Sequence, residues 1–234
     1  GSSLALSGLI MQQMMQNKFV SPTTAGTMEW AKLGILLSLL FFPNGHILIK
    51  LLFAVVLSIV GTFLFVQLIN LIRAKDVIFV PLLGIMIGGI LSSFTTFVAL
   101  RTNALQSIGN WLTGNFAVIT SGRFEVLYLT IPLLILAFVF ANHFTIAGMG
   151  KDFSHNLGVS YEKIIKIALF ITATLTALVV VTVGTLPFLG LIVPNIISIY
   201  RGDHLKNALP HTLMLGAIFV LIRSEERRVG KECR

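Results

Sequence analysis

The residues able to do acid–base or metal chemistry are few, and their spacing forms no catalytic pattern. The sequence contains neither the His-Glu-x-x-His pair that binds zinc nor the Gly-x-x-x-x-Gly-Lys-Ser/Thr loop that holds nucleotide phosphates. The five histidines also lack metal-ligand spacing; they are His46, His143, His155, His204 and His211. We therefore expect no enzymatic activity, no metal site and no cofactor. Energy for uphill movement of a substrate would come from outside the chain.

The carboxylates before residue 223 all fall between the long apolar runs or at their ends. Ion-coupled carriers commonly place an ionisable residue at membrane depth, because the coupling ion needs a titratable or anionic ligand. This placement disfavours an ion-driven secondary carrier without excluding one, since backbone carbonyls also bind sodium. The six carboxylates are Glu29, Asp76, Glu125, Asp152, Glu162 and Asp203.

The bulk composition indicates an integral membrane protein. Of 234 residues, 56% are hydrophobic and 11% are charged, and the mean hydropathy is +0.93. Soluble domains usually contain about 25% charged residues. The composition excludes a water-soluble enzyme, a disordered chain and a disulfide-stapled secreted domain. We interpret the net charge of +8 as membrane topology, with no nucleic-acid partner.

Runs free of charged residues predict eight transmembrane helices, because a helix needs about 20 residues to cross the bilayer. Residues 102–122 are also uncharged, but their amides and glycines predict a surface or re-entrant segment with a short helix at Ala104–Leu112. Prolines and glycines in 185–195 predict a turn buried within the protein. The predicted spans are 1–17, 33–49, 51–72, 77–100, 126–150, 167–200 (two helices) and 207–222.

The basic residues divide unequally between alternate loops, which predicts the orientation. The smaller set contains Lys50, Arg101 and Arg123. The larger set should be cytoplasmic by the positive-inside rule. It contains Lys18, Lys32, Arg73, Lys75, Lys151, Lys163, Lys166, Arg201 and Lys206.

The two ends of the chain are unusual for such a protein. The first apolar run has no polar residues before it, so we expect the chain to begin partway through a membrane helix. Residues 223–234 are highly charged and resemble a translated vector sequence, so we expect a permease domain at 1–222 followed by a non-native tail. The single cysteine, Cys233, lies in this tail and gives no information on the redox compartment.

Two groups of polar side chains within predicted helices are candidates for a translocation path. Gln12 and Gln16 are four residues apart and share a helix face. The second group is Ser92, Ser93, Thr95 and Thr96. Each group also has a packing interpretation. The glutamines would hydrogen-bond neighbouring helices, and the hydroxyls would return to carbonyls of their own helix.

The longest predicted cytoplasmic loop, 148–163, contains a candidate docking element. Phe153 and Leu157 would share one face of a short helix at spacing i, i+4, and Gly158 would end it. Such a helix suits docking of another protein or a place on the membrane surface, and its few charges disfavour anionic lipid as the main target.

Three blocks of sequence resemble the iron-siderophore (FecCD/BtuC-type) ABC importer permeases. The first is Leu6–Gln13 with Asn17–Gly26, similar to their second membrane helix and following loop. The second is Gly148–Gly158, similar to their cytoplasmic coupling loop. The third is Gly184–Asn195 followed by Arg201-Gly-Asp-His204, similar to their late signatures. Details of the first and third blocks look most like the catecholate branch, and petrobactin-type permeases in particular.

The resemblance implies an all-α permease of ten transmembrane helices, of which about eight are present here. It would lie in the bacterial cell membrane and pair with a second permease subunit around one path for a ferric siderophore. Two ABC ATPase subunits would bind inside and an extracytoplasmic siderophore-binding protein outside. The implied ATPase contacts are Gly150, Phe153, Leu157 and Gly158, supported by Arg201, Asp203 and His204. Arg101 and Arg123 are candidate contacts for the binding protein.

The chain also departs from the family pattern, and alternatives stay open. Asn195 stands where many relatives have histidine, and we expect the first and last family helices to be missing. A zinc/manganese or cobalamin permease of similar architecture is the nearest alternative. An ion-driven secondary carrier and a membrane scaffold without transport activity are the alternatives from other classes.

Overall fold

The computed structural model describes residues 1–72, 77–112, 114, 124–202 and 204–232, and these residues fold into α-helices joined by short segments. A 3-10 helix, Phe124–Leu129, leads into α6. The helices are α1 (Ser2–Met14), α2 (Thr27–Phe41), α3 (Ile47–Ile72), α4 (Phe79–Arg101), α5 (Leu105–Leu112), α6 (Thr130–Val139), α7 (Ala141–Ala147), α8 (Lys151–Asn156), α9 (Tyr161–Thr182), α10 (Leu189–Arg201) and α11 (Leu205–Glu232).

The helices confirm an all-α, multi-pass membrane protein. Four are long and apolar enough to cross a bilayer: α3, α4, α9 and the part of α11 that ends at Ile222. Residues 124–139 and α7 form a fifth candidate span, bent by 58°. Helices α1, α2 and α10 have 13, 15 and 13 residues, fewer than the roughly 20 that a crossing needs. All eight predicted spans are therefore helical, but three are too short to cross alone.

The predicted boundaries of the second span are wrong. The prediction was 33–49, whereas α2 begins at Thr27 and ends at Phe41. Pro43 and Gly45 in the following turn end the helix, because proline and glycine disfavour helical continuation. Lys32 therefore lies inside α2 and not in a loop. Its ammonium pairs with the carboxylate of Glu29 at 2.7 Å, and both side chains are largely buried.

Helix α9 forms the centre of the molecule. Its membrane-spanning part is 72% buried, whereas α3, α4 and α11 expose most of theirs. The C-terminal half of α9 packs with α2 and α3 around Ile35, Leu36 and Ala54. Its other half packs with α1, α7 and α11 around Ile10 and Phe144. A third cluster packs α3 and α4 against α9 around Phe65, Val80 and Leu169. Many other apolar side chains of α3, α4 and α11 are exposed, as expected for helices that contact lipid.

Helices α1 and α10 cross in backbone contact at Gly8 and Gly190. A Cβ at either glycine would overlap or crowd the backbone of the other helix. Pro194 lies inside α10 and lacks the N–H that would bond the Gly190 carbonyl. That carbonyl instead points at Gly8. Gly184, Pro187, Gly190 and Pro194 were predicted to break the apolar run into two helices, and the break lies at 183–188, which contains Gly184 and Pro187. Phe188 has a left-handed φ of 64° there, whereas Gly190 and Pro194 lie inside α10. Phe188 is also exposed, so the predicted burial holds only in part.

The loops gather at two ends of the molecule. The first, here called the basic end, contains residues 15–20, 148–160, 198–202 and 204. Gln16 hydrogen-bonds Gly148, and Lys18 contacts Ser198 across this end. The opposite end contains residues 42–46, 102–104 and 183–188, with α5 packed against α2 and α4. The loops around Lys18, Lys151 and Arg201, predicted to share the cytoplasmic side, thus lie together. Lys32 lies within α2, and Arg73 and Lys75 lie outside the described residues.

Candidate docking and coupling site

The site begins with a sharp turn that leads into α8 at the basic end. Gly150 has φ +110° and Gly158 has φ +71°, backbone conformations that favour glycine. Ser154 is fully buried, and its hydroxyl donates to the carbonyls of Gly150 at 2.8 Å and Ile146 at 3.2 Å. This serine therefore fixes α8 to the end of α7.

Three large apolar side chains project from this segment into the surroundings. Met149, Phe153 and Leu157 are 57%, 48% and 54% exposed, and they follow one another at intervals of four residues. The predicted short helix is confirmed as Lys151–Asn156, with Leu157 at its C-cap, and the common face of Phe153 and Leu157 stays a prediction. Exposed apolar surface outside a membrane span is typical of a protein interaction site. We call these three residues the docking stripe.

Of the residues predicted to support the ATPase contact, His204 lies close to the docking stripe. Ser198 and His204 line one cavity of about 440 Å³ together with Gly148 and Met149. Arg201 and His204 are exposed at the end of α10 and just beyond it. The backbone carbonyl of His204 accepts hydrogen bonds from Asn207 and Ala208, which starts α11. Asp203 lies outside the described residues.

The glutamines predicted to line a path lie between the same elements. Gln12 is buried and donates to the carbonyl of Lys18 at 2.9 Å and to that of Leu191 at 3.4 Å. Gln16 is exposed and donates to the carbonyl of Gly148 at 3.0 Å. Both also border the 440 Å³ cavity. Their observed contacts are those of the packing interpretation, since each amide joins two elements.

The serines and threonines of α4 that were predicted to line a path differ from the glutamines in their hydrogen bonds. Thr95 is buried and donates to the carbonyl of Leu91 at 2.7 Å, and Thr96 donates to that of Ser92 at 2.9 Å. Ser93 is exposed on the outer face of the helix. Both threonine hydroxyls thus hydrogen-bond carbonyls of the preceding helical turn, as the packing interpretation predicts. A path along Ser92, Ser93, Thr95 and Thr96 stays a prediction.

The two arginines predicted to contact a binding protein belong to the opposite end. Arg101 is exposed at the end of α4, with its guanidinium 5.5 Å from the ring centre of Phe97. A cation above an aromatic face is held in place by the ring quadrupole. Arg123 lies outside the described residues. Arg101 is therefore positioned on the side away from the docking stripe.

Sequence reasoning missed the tertiary role of the segment between α1 and α2. Residues 20–22 and 24–26 are buried although they are not helical. The backbone N–H of Ser21 donates to the Thr24 hydroxyl at 2.8 Å, and that hydroxyl donates to the Phe19 carbonyl at 3.1 Å. Asn17 donates to the Val77 carbonyl at 2.7 Å. Non-helical backbone survives at membrane depth when protein groups satisfy it in this way. The Ser, Thr and Asn content of 17–24 was the available signal.

Asn195 is a second missed residue. Its amide donates to the carbonyls of Lys18 and Leu191, both at 2.9 Å. The sequence showed it only as a departure from a family pattern. Across the described residues, no cluster of His, Cys, Asp and Glu has the arrangement of a metal site.

Comparison with known proteins identifies the relatives of the chain. The FecCD transport family matches residues 1–224. The petrobactin import system permease protein YclN of Bacillus subtilis (strain 168) is 55% identical over 94% of this chain and 70% of its own length. The ferric-anguibactin transport system permease protein FatD of Vibrio anguillarum (strain ATCC 68554 / 775) is 37% identical over 94% of this chain and 70% of its own length.

A solved structure supports the same fold. A metal-chelate type ABC transporter in an inward-facing conformation superimposes with a TM-score of 0.75 and 22% identity. The match covers 95% of this chain and 72% of that one. The helical architecture, the membrane spans and the sequence match over nearly the whole chain agree. This protein is a member of the FecCD transport family.

Proposed function

We propose that this chain is the permease subunit of an ABC importer that moves a ferric siderophore into the bacterial cytoplasm. The 55% identity to a petrobactin import permease carries this proposal. A ferric-anguibactin permease at 37% identity supports the broader class of ferric siderophores. The chain spans about 70% of the length of these relatives, so the proposed activity is that of the complete permease. We assign residues 1–222 to the permease domain and 223–234 to a non-native tail.

ATP hydrolysis belongs to a separate ATPase in this proposal. The ATPase would bind the docking stripe at the basic end, which we place on the cytoplasmic side because it gathers Lys18, Lys151 and Arg201. Exposed Phe153 and Leu157 supply apolar anchors that become buried on docking. Gly150, Gly158, Arg201, Asp203 and His204 would shape the surrounding contact surface.

The opposite end would receive the extracytoplasmic siderophore-binding protein. Arg101 and Arg123 are the proposed contacts for acidic groups on that protein, because opposite charges steer and orient association. A second permease subunit would complete the path, with Gln12, Gln16, Ser92, Ser93, Thr95 and Thr96 as its proposed polar lining. The outward apolar faces of α3, α4 and α11 would contact the lipid of the cell membrane.

Transport would follow from a difference in contacts between two states of the membrane subunit. ATP binding closes the ATPase subunits and moves α8. The permease then switches between inward-facing and outward-facing arrangements, because the docked ATPase favours one of them. The anchoring of Ser154 on α7 makes α8 move with its neighbouring helices rather than alone.

Uptake of radiolabelled ferric petrobactin tests the proposal. The complete permease is expressed with its ATPase and binding protein in cells that lack other ferric-siderophore permeases. We expect iron uptake that requires the permease and stops when the ATPase is inactivated. Uptake of vitamin B12, zinc or manganese in place of ferric petrobactin would contradict the substrate assignment. Uptake driven by an ion gradient without ATPase would contradict the importer class, and no effect of deletion would favour a scaffold.

A further inference from the structure

We infer that a chain of side-chain amides, centred on Gln16 and Asn195, transmits movement of the docking segment to α10. This inference rests on the proposed function and deepens it, because it names positioning residues between the ATPase contact and the membrane helices. The contacts that form the chain join elements far apart in sequence. They run from the 148–150 turn, through the end of α1, to the first half of α10.

The first link joins the docking segment to α1. The Gln16 amide donates to the Gly148 carbonyl at 3.0 Å, one residue before Met149 of the docking stripe. The Gln13 side chain fills the space in which a Cβ of Gly148 would lie. Gln16 has a left-handed φ of 49°, rare for a residue other than glycine. Such a conformation persists only where surrounding contacts hold it, and it often marks a switch region.

The second link joins the end of α1 to α10. Gln12 and Asn195 both donate to the Lys18 carbonyl at 2.9 Å. The same two amides also donate to the Leu191 carbonyl, at 3.4 Å and 2.9 Å. Gln12 and Asn195 therefore each connect the Lys18 carbonyl, which follows α1, with the Leu191 carbonyl, which lies in α10. A displacement of residues 16–18 therefore acts directly on the first half of α10.

The surroundings leave room for movement around this chain of contacts. A cavity of about 440 Å³ is lined by Gln16 and Gly148 and also by Ser198 and His204. The cavity leaves room for the 148–150 turn to move relative to α10. Beyond Leu191, the crossing of Gly8 on Gly190 is in backbone contact. Movement of α10 at this crossing must shift α1 as well, because close-packed backbones do not deform gradually.

The inference identifies Gln16 as a positioning residue and predicts uncoupling when its donor is lost. Gln16→Glu keeps the size of the side chain but replaces the donating amide with an acceptor that repels the Gly148 carbonyl. We expect the variant to keep ATPase co-purification and ATP hydrolysis. Ferric petrobactin taken up per ATP hydrolysed should fall about fivefold, within the usual range for a residue that couples two sites.

Two further variants separate coupling from general damage. Gln16→Lys restores an N–H donor of similar reach and should recover most of the uptake per ATP. Gln106→Glu makes the same chemical change at an exposed position of α5, outside the candidate membrane spans, and should behave as the wild type. Reconstituted complexes of permease, ATPase and binding protein supply both readouts, hydrolysis and uptake, from one preparation.

A double variant tests the chain as a unit. Asn195→Ala should lower uptake per ATP on its own, and adding Gln16→Glu should lower it little further, because both act on one connection. Independent, multiplicative losses would overturn the inference, and so would unchanged uptake per ATP in Gln16→Glu. If Gln16→Glu fails to assemble with the ATPase, the ratio measured for Asn195→Ala decides. Failure of the wild-type complex to take up ferric petrobactin would instead contradict the proposed function.

Discussion

Helices α1 and α4 each contain a group of polar side chains, yet they satisfy these groups in opposite ways. Gln12 on α1 bonds the carbonyls of Lys18 and Leu191, so its amide depends on tertiary contacts. Thr95 on α4 bonds the carbonyl of Leu91 within its own helix. Helix α1 is buried along most of its length, whereas most of α4 lies outside the core.

The difference shows which polar residues in an apolar helix hold the fold together. A hydroxyl that returns to its own helix costs little and leaves the helix free to face lipid. A glutamine amide has donors that reach other segments, so it fixes the position of one element relative to another. We therefore expect α1 to be sensitive to substitution and α4 to be tolerant. The predictions below test this contrast, in order of decreasing effect.

A matched pair of glycine substitutions should give the largest contrast. Gly8→Leu on α1 places a side chain into the backbone of Gly190 and should destabilise the permease by about 3 kcal/mol or more. In Gly89→Leu on α4, the added Cβ has no atom within 4 Å, and the variant should change stability by less than about 1 kcal/mol. Thermal melting of the detergent-solubilised protein measures both. Similar melting temperatures for the two variants would contradict the close contact at Gly8.

Removal of the docking stripe should disrupt assembly without disrupting the fold. Phe153→Ala with Leu157→Ala deletes two exposed apolar anchors and should abolish ATPase co-purification, a loss of about 2 kcal/mol or more in binding. Membrane insertion should be unchanged. Ile85→Ala with Met86→Ala removes equally exposed side chains from α4 and should leave co-purification intact. Retained co-purification in the Phe153/Leu157 variant would refute the docking assignment.

The ion pair inside α2 should show an intermediate effect. Glu29→Gln leaves the Lys32 ammonium, which is only 11% exposed, without its partner, and should cost about 2 kcal/mol. The double variant Glu29→Gln with Lys32→Met removes both charges and should recover most of the loss. Chemical or thermal unfolding in detergent measures each variant. A double variant less stable than Glu29→Gln alone would show that Lys32 has a favourable role outside the pair.

Single polar deletions on α1 and α4 should give the smallest effects. Gln12→Leu removes a bridge between segments and should cost about 1 kcal/mol. Thr95→Val removes a hydroxyl from a carbonyl that keeps its helical partner, and the stability should stay within about 0.5 kcal/mol of the wild type. Equal losses at the two positions, measured by the same melting assay, would remove the distinction drawn between the helices.

Much of the fold followed from local pattern. The short helix predicted at Ala104–Leu112 is α5, which begins one residue later, at Leu105. The span predicted at 77–100 agrees closely with α4, Phe79–Arg101. Long apolar runs between charges identify such spans because bilayer thickness fixes their length. The docking helix was also predictable, since its apolar spacing and flanking glycines lie within one short segment.

The failures came where distant residues decide the outcome. Lys32 was treated as the edge of a loop, but pairing with Glu29 lets it lie within α2. Pro194 was treated as a break, but Gly8 leaves space for the carbonyl that proline releases. The path role of Gln12 and Gln16 stays a prediction, and the structure joins both amides to carbonyls of other segments.

The sequence alone determined that this is a helical membrane protein of the siderophore-permease type, because hydropathy, charge distribution and local motifs are properties of the linear chain. Only the tertiary structure decided which polar side chains bridge elements and which serve their own helix. Hydrogen-bond partners of Gln12, Gln16 and Asn195 lie up to 179 positions away along the chain, the separation of Gln12 and Leu191. Such partners are selected by packing in space, and spacing along the sequence does not reveal them.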